Sequence, residues 1–181
     1  MILYVNCCVR EDSRTDRIAR TLLEKLGGKY EEVYLPGADL MPLSRELLDK
    51  RNALIEKADY SDPMFRYAKQ FAAADRIVIS APYWDLSFPA VLKLYIENIY
   101  VTGIVSEYDS SGMPRGLCRA EELIYVTTAG GPYFPEYSFE YFKTMATQFL
   151  GIRRATLIKA EMLDVEGADP DKIVSDVIGA L

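Results

Sequence analysis

The chain has 181 residues, half of them hydrophobic and 27% charged, which excludes a disordered polypeptide and suffices to bury roughly 70% of the unfolded surface in one domain, residues 1–181. A net charge of -6 without any basic cluster excludes nucleic acid or an anionic membrane as the main partner, and no apolar run approaches the ~18 residues of a membrane span. With no histidine, Ser-His-Asp and Cys-His catalysis and the common zinc sites are excluded, and no metal site is expected.

Residues 2–6 read as a first strand without the charged leader of a signal peptide. Three cysteines, Cys7, Cys8 and Cys118, make no disulfide framework, so a reducing, cytoplasmic location is expected. The loop at 8–15 leads into a helix with Ile18, Leu22, Leu23 and Leu26 on its apolar stripe and Gly27-Gly28 at its end. Residues 30–35 alternate as a second strand. Residues 38–61 are dense in charge, and the helical periodicity of 44–57 reads as a surface excursion. Asp62-Pro63 pairs an N-cap with proline at the first helical position, starting a helix to about Ala73.

Ile77-Val78-Ile79 is an apolar β-branched run that suits a strand buried on both faces. An aromatic loop follows, after which Ser87 is expected to cap a helix carrying Val91, Leu92, Tyr95, Ile96 and Ile99. Residues 102–121 form a long loop with a hairpin expected at Ser110-Ser111-Gly112. A fourth strand at 122–128 ends before Gly130-Gly131-Pro132. Residues 138–150 form a helix with Phe139, Phe142, Ala146 and Phe149 on one stripe. A fifth strand at 155–160 precedes a last helix signalled by Asp169-Pro170.

Five strands alternating with helices imply an α/β fold, a doubly wound parallel sheet in the order 2-1-3-4-5. Ligands then bind at the carboxyl ends of strands one and three, where the order reverses. The loops after strands one, three and four, at 8–15, 81–88 and 128–137, would converge there. The first offers Ser13 and Thr15 hydroxyls, the Arg10 and Arg14 guanidiniums and backbone N–H groups at a helix start, which suits a phosphate; Ser13 also suits plain N-capping. The second carries Tyr83-Trp84, fit to flank a flat ligand or to cover core or a subunit contact. In the third, Gly130-Gly131 lets backbone approach a ligand, with Tyr133 and Phe134 just beyond.

These residues carry a resemblance. Ala81-Pro82-Tyr83-Trp84-Asp85-Leu86, Leu92-Lys93-Leu94-Tyr95, Gly103-Ile104, Gly116-Leu117 and Thr127-Thr128-Ala129-Gly130-Gly131 are similar to motifs of the flavodoxin-fold NAD(P)H dehydrogenase (quinone) family, especially its FMN-dependent NADH-azoreductase branch. Ser13-Arg14-Thr15 matches the family's Ser-x-Ser phosphate loop. The resemblance implies a flavodoxin-like fold, FMN, NADH or NADPH as electron donor, and a quinone, azo or nitro aromatic acceptor. By it, Ser13, Arg14 and Thr15 hold the FMN phosphate. Pro82, Tyr83, Trp84, Asp85 and Leu86 border the isoalloxazine, with the Asp85 backbone near flavin N5, and Thr128, Ala129, Gly130 and Gly131 lie along the pyrimidine side. Tyr133 and Phe134 would meet the acceptor, and no side chain would be catalytic in its own right. A homodimer with its site at the subunit boundary is also implied. Trp84, Asp85 and Leu86 depart from the family's usual Tyr, Asn and aromatic residue, and Cys7 stands where a phosphate-side Ser is common.

Two alternatives use the same residues. Cys8 followed by five residues and then Arg14-Thr15 fits the C-x5-R-[S/T] pattern of low-molecular-weight phosphatases and arsenate reductases, in which a thiolate attacks phosphorus. The acidic charge also suits a flavodoxin-like one-electron carrier.

Overall fold

The computed structural model describes residues 1–181. Five parallel strands form the central sheet: β1 (Ile2–Asn6), β2 (Tyr30–Tyr34), β3 (Arg76–Ser80), β6 (Glu122–Thr128) and β7 (Arg154–Ala160), in the order β2-β1-β3-β6-β7. The remaining strands, β4 (Ser106–Tyr108) and β5 (Pro114–Gly116), pair antiparallel as the hairpin expected inside the long loop. At its turn Asp109 Oδ1 accepts from the Ser111 and Met113 N–H groups at 2.8 and 3.0 Å. Omitting that hairpin, the order is 2-1-3-4-5.

Alternation along each strand sends side chains to opposite faces. Leu3, Val5, Ile77, Ile79, Leu123 and Tyr125 join one core with α3 (Arg66–Ala73), α4 (Ala90–Ile99) and α5 (Phe139–Thr144). Tyr4, Val78, Ile124 and Val126 join the other with Ile18, Leu22 and Leu23 of α1 (Arg14–Lys25) and Val174 of α6 (Pro170–Gly179). A sheet covered on both faces explains why its inner strands read as unbroken apolar runs. The charge-dense stretch does contain a helix, α2 (Arg45–Glu56), capped by Ser44 and without a fully buried residue. Its Leu54 and Ile55 rest on the edge of the larger core.

Three local details differ from the sequence expectations. Ser87 does not cap α4, whose N-cap is Pro89; instead its backbone pairs with Trp84 across a two-residue turn and its Oγ donates to the Tyr137 carbonyl at 2.8 Å. The helix at 138–150 widens to a π turn over Met145–Phe149, with Leu150 N donating to Met145 O at 3.1 Å. The chain leaves that turn through Gly151 at φ +77°, and a Cβ on Gly116 would collide with the Leu150-Gly151 backbone, so the hairpin docks there through a glycine. Asp62-Pro63 first forms a 3-10 turn, Pro63–Phe65, before α3 begins.

Candidate functional site

The carboxyl ends of β1, β3 and β6 surround a crevice of about 360 Å³. It is lined by Ser13, Arg14 and Thr15 from the first loop, Pro82, Tyr83 and Trp84 from the second, and Thr128, Ala129 and Gly130 from the third. Val9, Arg10, Asp12, Leu163 and Asp164 complete the wall.

The first loop ends where α1 begins. Ser13 Oγ accepts from the Asp16 N–H at 3.3 Å, so Ser13 is the N-cap of α1. The N–H groups of Arg14 and Thr15 have no acceptor within the protein, as expected of a first helical turn. Thr15 is buried, and its Oγ1 lies 2.7 Å from Thr128 Oγ1, tying the helix start to the end of β6. Arg14 Nη1 donates to Asp164 Oδ1 at 3.2 Å.

The second loop is fastened at both ends. Tyr83 N donates to Thr128 O at 3.0 Å, and the Tyr83 hydroxyl accepts from the Phe134 N–H at 3.4 Å. Beyond it, Trp84 and Ser87 exchange backbone hydrogen bonds of 3.0 and 2.8 Å around Asp85 (φ +50°) and Leu86 (φ +66°). Two successive positive φ values define a type I′ turn, ordinarily the territory of Asn-Gly; a leucine there stores strain. The turn leaves Leu86 exposed and Trp84 40% exposed beside the crevice.

Of the residues expected at the cofactor, Asp85, Leu86 and Gly131 lie outside this lining. Asp85 and Leu86 border an adjoining open hollow of about 550 Å³ with Ser87, Glu136, Tyr137 and Tyr141. A Cβ at Gly130 would press on Asp164 Oδ2 and make that carboxylate swing aside, whereas a Cβ at Gly131 meets nothing within 4 Å. Tyr133, expected to meet an acceptor, is only 6% exposed: its ring edge packs on Tyr83 at 4.7 Å and its hydroxyl bonds Ser138 Oγ at 2.6 Å. Phe134 is the exposed neighbour. Leu163 and Asp164 are the lining residues outside the three loops expected from sequence; their position just past the fifth parallel strand, beside the fourth, is the available signal.

The thiol arrangement opposes nucleophilic use. Cys8 is 4% exposed, absent from the crevice wall, and its Sγ lies 3.5 Å from Ser80 Oγ. Burial pushes the Cys8 thiol above its ordinary value, against the hydrogen bonds from Ser13 and Ser80. A phosphatase nucleophile requires a shift in the other direction. No cluster of His, Cys, Asp and Glu could hold a metal ion, and no helix is long and apolar enough to cross a membrane.

Unpartnered N–H groups, hydroxyls and two guanidiniums at one end, with Pro82, Tyr83 and Trp84 at the other, fit a flat ligand bearing a phosphate; Asp12 and Asp164 temper the positive charge at the phosphate end.

The sequence profile of the flavodoxin-like fold family Flavodoxin_2 matches residues 1–179, and the chain belongs to that family. The FMN-dependent NADH:quinone oxidoreductase of Coprothermobacter proteolyticus is 33% identical over 189 residues, covering 98% of this chain and 94% of that protein. That of Lachnoclostridium phytofermentans is 32% identical over 97% of this chain and 92% of its own length. Among solved structures, an azoreductase from Bacillus anthracis superimposes with a TM-score of 0.85 at 21% identity, covering 99% of this chain and 95% of its own. An FMN-dependent NADH-azoreductase from the same organism, in complex with FMN, has a TM-score of 0.82 at 21% identity, covering 99% and 94%.

Proposed function

We propose that this protein is an FMN-dependent NADH:quinone oxidoreductase that reduces quinones, azo or nitro aromatics by two-electron transfer, with FMN held in the crevice at the β1-β3 switch point. One observation carries the reading: phosphate donors and an aromatic wall share a single crevice, in a chain whose full-length relatives bear that name. When bound, FMN accepts hydride from NADH or NADPH and passes it to the acceptor.

The protein supplies binding and orientation. The Ser13 hydroxyl, the Arg14 and Thr15 N–H groups and the Arg14 guanidinium hold the phosphate, and the dipole of α1 favours its charge. Pro82, Tyr83 and Trp84 would flank the ring, and Thr128, Ala129 and Gly130 would supply backbone along its far edge. The type I′ turn leaves the N–H groups of Asp85 and Leu86 without internal partners, donors available to the ring. Trp84 and Phe134, both partly exposed, frame the face where donor and acceptor alternate.

The exposed Leu86, Tyr137 and Tyr141 beside this face are apolar surface that a second copy would bury, forming a C2 homodimer with the site at its boundary. A cytoplasmic location agrees with the free thiols.

Initial-rate kinetics with NADH and a soluble quinone test the reading. One shared face predicts parallel double-reciprocal plots; intersecting plots would require donor and acceptor to bind together. NADPH in place of NADH gives the donor preference, and light scattering at micromolar concentration gives a dimeric mass if the apolar surface is an interface.

A further inference from the structure

Asp164 belongs to the crevice by construction. After β7 the chain turns back along the loop that follows β6: Met162 N donates to Gly131 O at 3.0 Å, Leu163 N to Ala129 O at 3.2 Å, and Asp164 N to Gly130 O at 2.9 Å. These bonds fix the Asp164 backbone, and its exposed carboxylate lies against Gly130, where a Cβ would meet Oδ2. From this seat Oδ1 accepts from Arg14 Nη1 at 3.2 Å. Arg14 is the first residue of α1, and the N–H groups of Arg14 and Thr15 beside it are unpartnered. A carboxylate is therefore stationed on the guanidinium of a helix start built to receive an anion. The two side chains are 40% and 69% exposed, so water and salt weaken their attraction and a more highly charged anion can displace the carboxylate.

We propose that Asp164 is an internal competitor for Arg14: its carboxylate occupies the guanidinium until the cofactor's phosphate displaces it, and it thereby sets how strongly the protein prefers FMN over riboflavin. The proposal rests on the FMN reading above and adds to it a residue that determines cofactor specificity. Displacement leaves the Asp164 charge beside a phosphate dianion, a repulsion that riboflavin, lacking the phosphate, does not meet. Asp164 thus lowers FMN affinity while leaving riboflavin affinity alone. Asp164→Asn preserves the shape over Gly130 and removes only the charge.

The test is titration of flavin-free protein with FMN and with riboflavin, followed by flavin fluorescence, for the parent, Asp164→Asn, Arg14→Gln and the double variant. Asp164→Asn should tighten FMN by about three- to ten-fold and leave riboflavin within about two-fold. The gain should vanish when Arg14→Gln is also present. Unchanged or weaker FMN binding by Asp164→Asn overturns the proposal, as does a gain that persists without Arg14. A parent protein that binds neither flavin overturns the FMN reading itself; one that binds FMN while Asp164→Asn changes nothing overturns the competitor role alone. Asp164→Ser, should the asparagine variant fold poorly, removes the same charge with a smaller side chain and must show the same selective gain.

Discussion

Thr15 Oγ1 and Thr128 Oγ1 lie 2.7 Å apart, joining the first turn of α1 to the last residue of β6 across the end of the crevice. The pair sets the distance between two loops far apart in sequence. It also uses hydroxyls that read, one at a time, as ordinary features of a helix start and a strand end.

Thr15→Val keeps the shape and removes that bond, leaving the Thr128 hydroxyl unpaired at the ligand. Loss of one hydrogen bond of about 0.5–1.5 kcal/mol should weaken FMN binding by roughly two- to thirteen-fold. Fluorescence titration with FMN measures it, and an unchanged affinity would show that the hydroxyl pair does not position the phosphate loop.

Cys8→Ser should leave NADH oxidation within a few-fold, because the thiol is buried, raised above its ordinary value by that burial, and outside the crevice wall. Turnover of a phosphate monoester by the parent protein, lost in this variant, would restore the phosphatase alternative.

Much of this architecture is legible in the chain. The β-branched runs, the Asp-Pro helix starts and Gly27-Gly28 fix the alternation of elements, and handedness then leaves few sheet orders. In the crevice, Ser13 to Thr15, Pro82 to Trp84 and Thr128 to Gly130 come together because that order puts their loops at one end. Other features depend on tertiary packing and leave no local mark. The Trp84–Ser87 turn demands positive φ from Asp85 and Leu86, residues that do not advertise it, and so Ser87 looked free to cap α4. Tyr133 reads as a ligand contact until Tyr83 and Ser138 are seen to enclose it. Asp164 carries no motif; only its backbone pairing with Gly130 brings it to Arg14.

Gly116→Ala should cost stability, since its methyl would collide with the Leu150-Gly151 backbone, which has no flexible side chain to move aside. A loss of about 1–3 kcal/mol is expected from such overpacking, read as a lower urea midpoint at unchanged slope. An unaltered midpoint would mean that the hairpin lifts away from the π turn at little cost.

Glu122 lies at the start of β6, where Arg154 Nε donates to it at 2.8 Å, Thr156 Oγ1 at 2.9 Å, and Arg76 Nε stands at 3.2 Å. Burial raises its carboxyl, but these hydrogen bonds and the arginine charges outweigh burial and leave it below the ordinary value of 4.5. A depressed folded value adds stability that is fully present above the unfolded value and is lost as pH falls through the folded one. Glu122→Gln should therefore be less stable than the parent near pH 7, with the gap closing as pH falls well below 4.5. Urea midpoints measured across that range check the sign; a gap that widens in acid would contradict it.

Relaxing the turn gives a further prediction. Leu86→Gly removes the cost of a leucine at φ +66°, but glycine also loosens the unfolded chain, so folded stability should shift by no more than about 1 kcal/mol. The exposed leucine side chain is lost at the same time, and light scattering should report a weakening of the proposed homodimer. A dimer of unaltered strength would take Leu86 out of the interface.

The most direct measurement of the central claim is an anaerobic titration. Protein reconstituted with FMN and freed of excess should retain about one flavin per chain. The absorbance of that flavin should bleach on adding NADH with a stoichiometry of one two-electron equivalent, then recover on adding one equivalent of a quinone. Protein that retains no FMN, or flavin that NADH does not bleach, contradicts the account; recovery that takes two separate one-electron steps would make the protein an electron carrier.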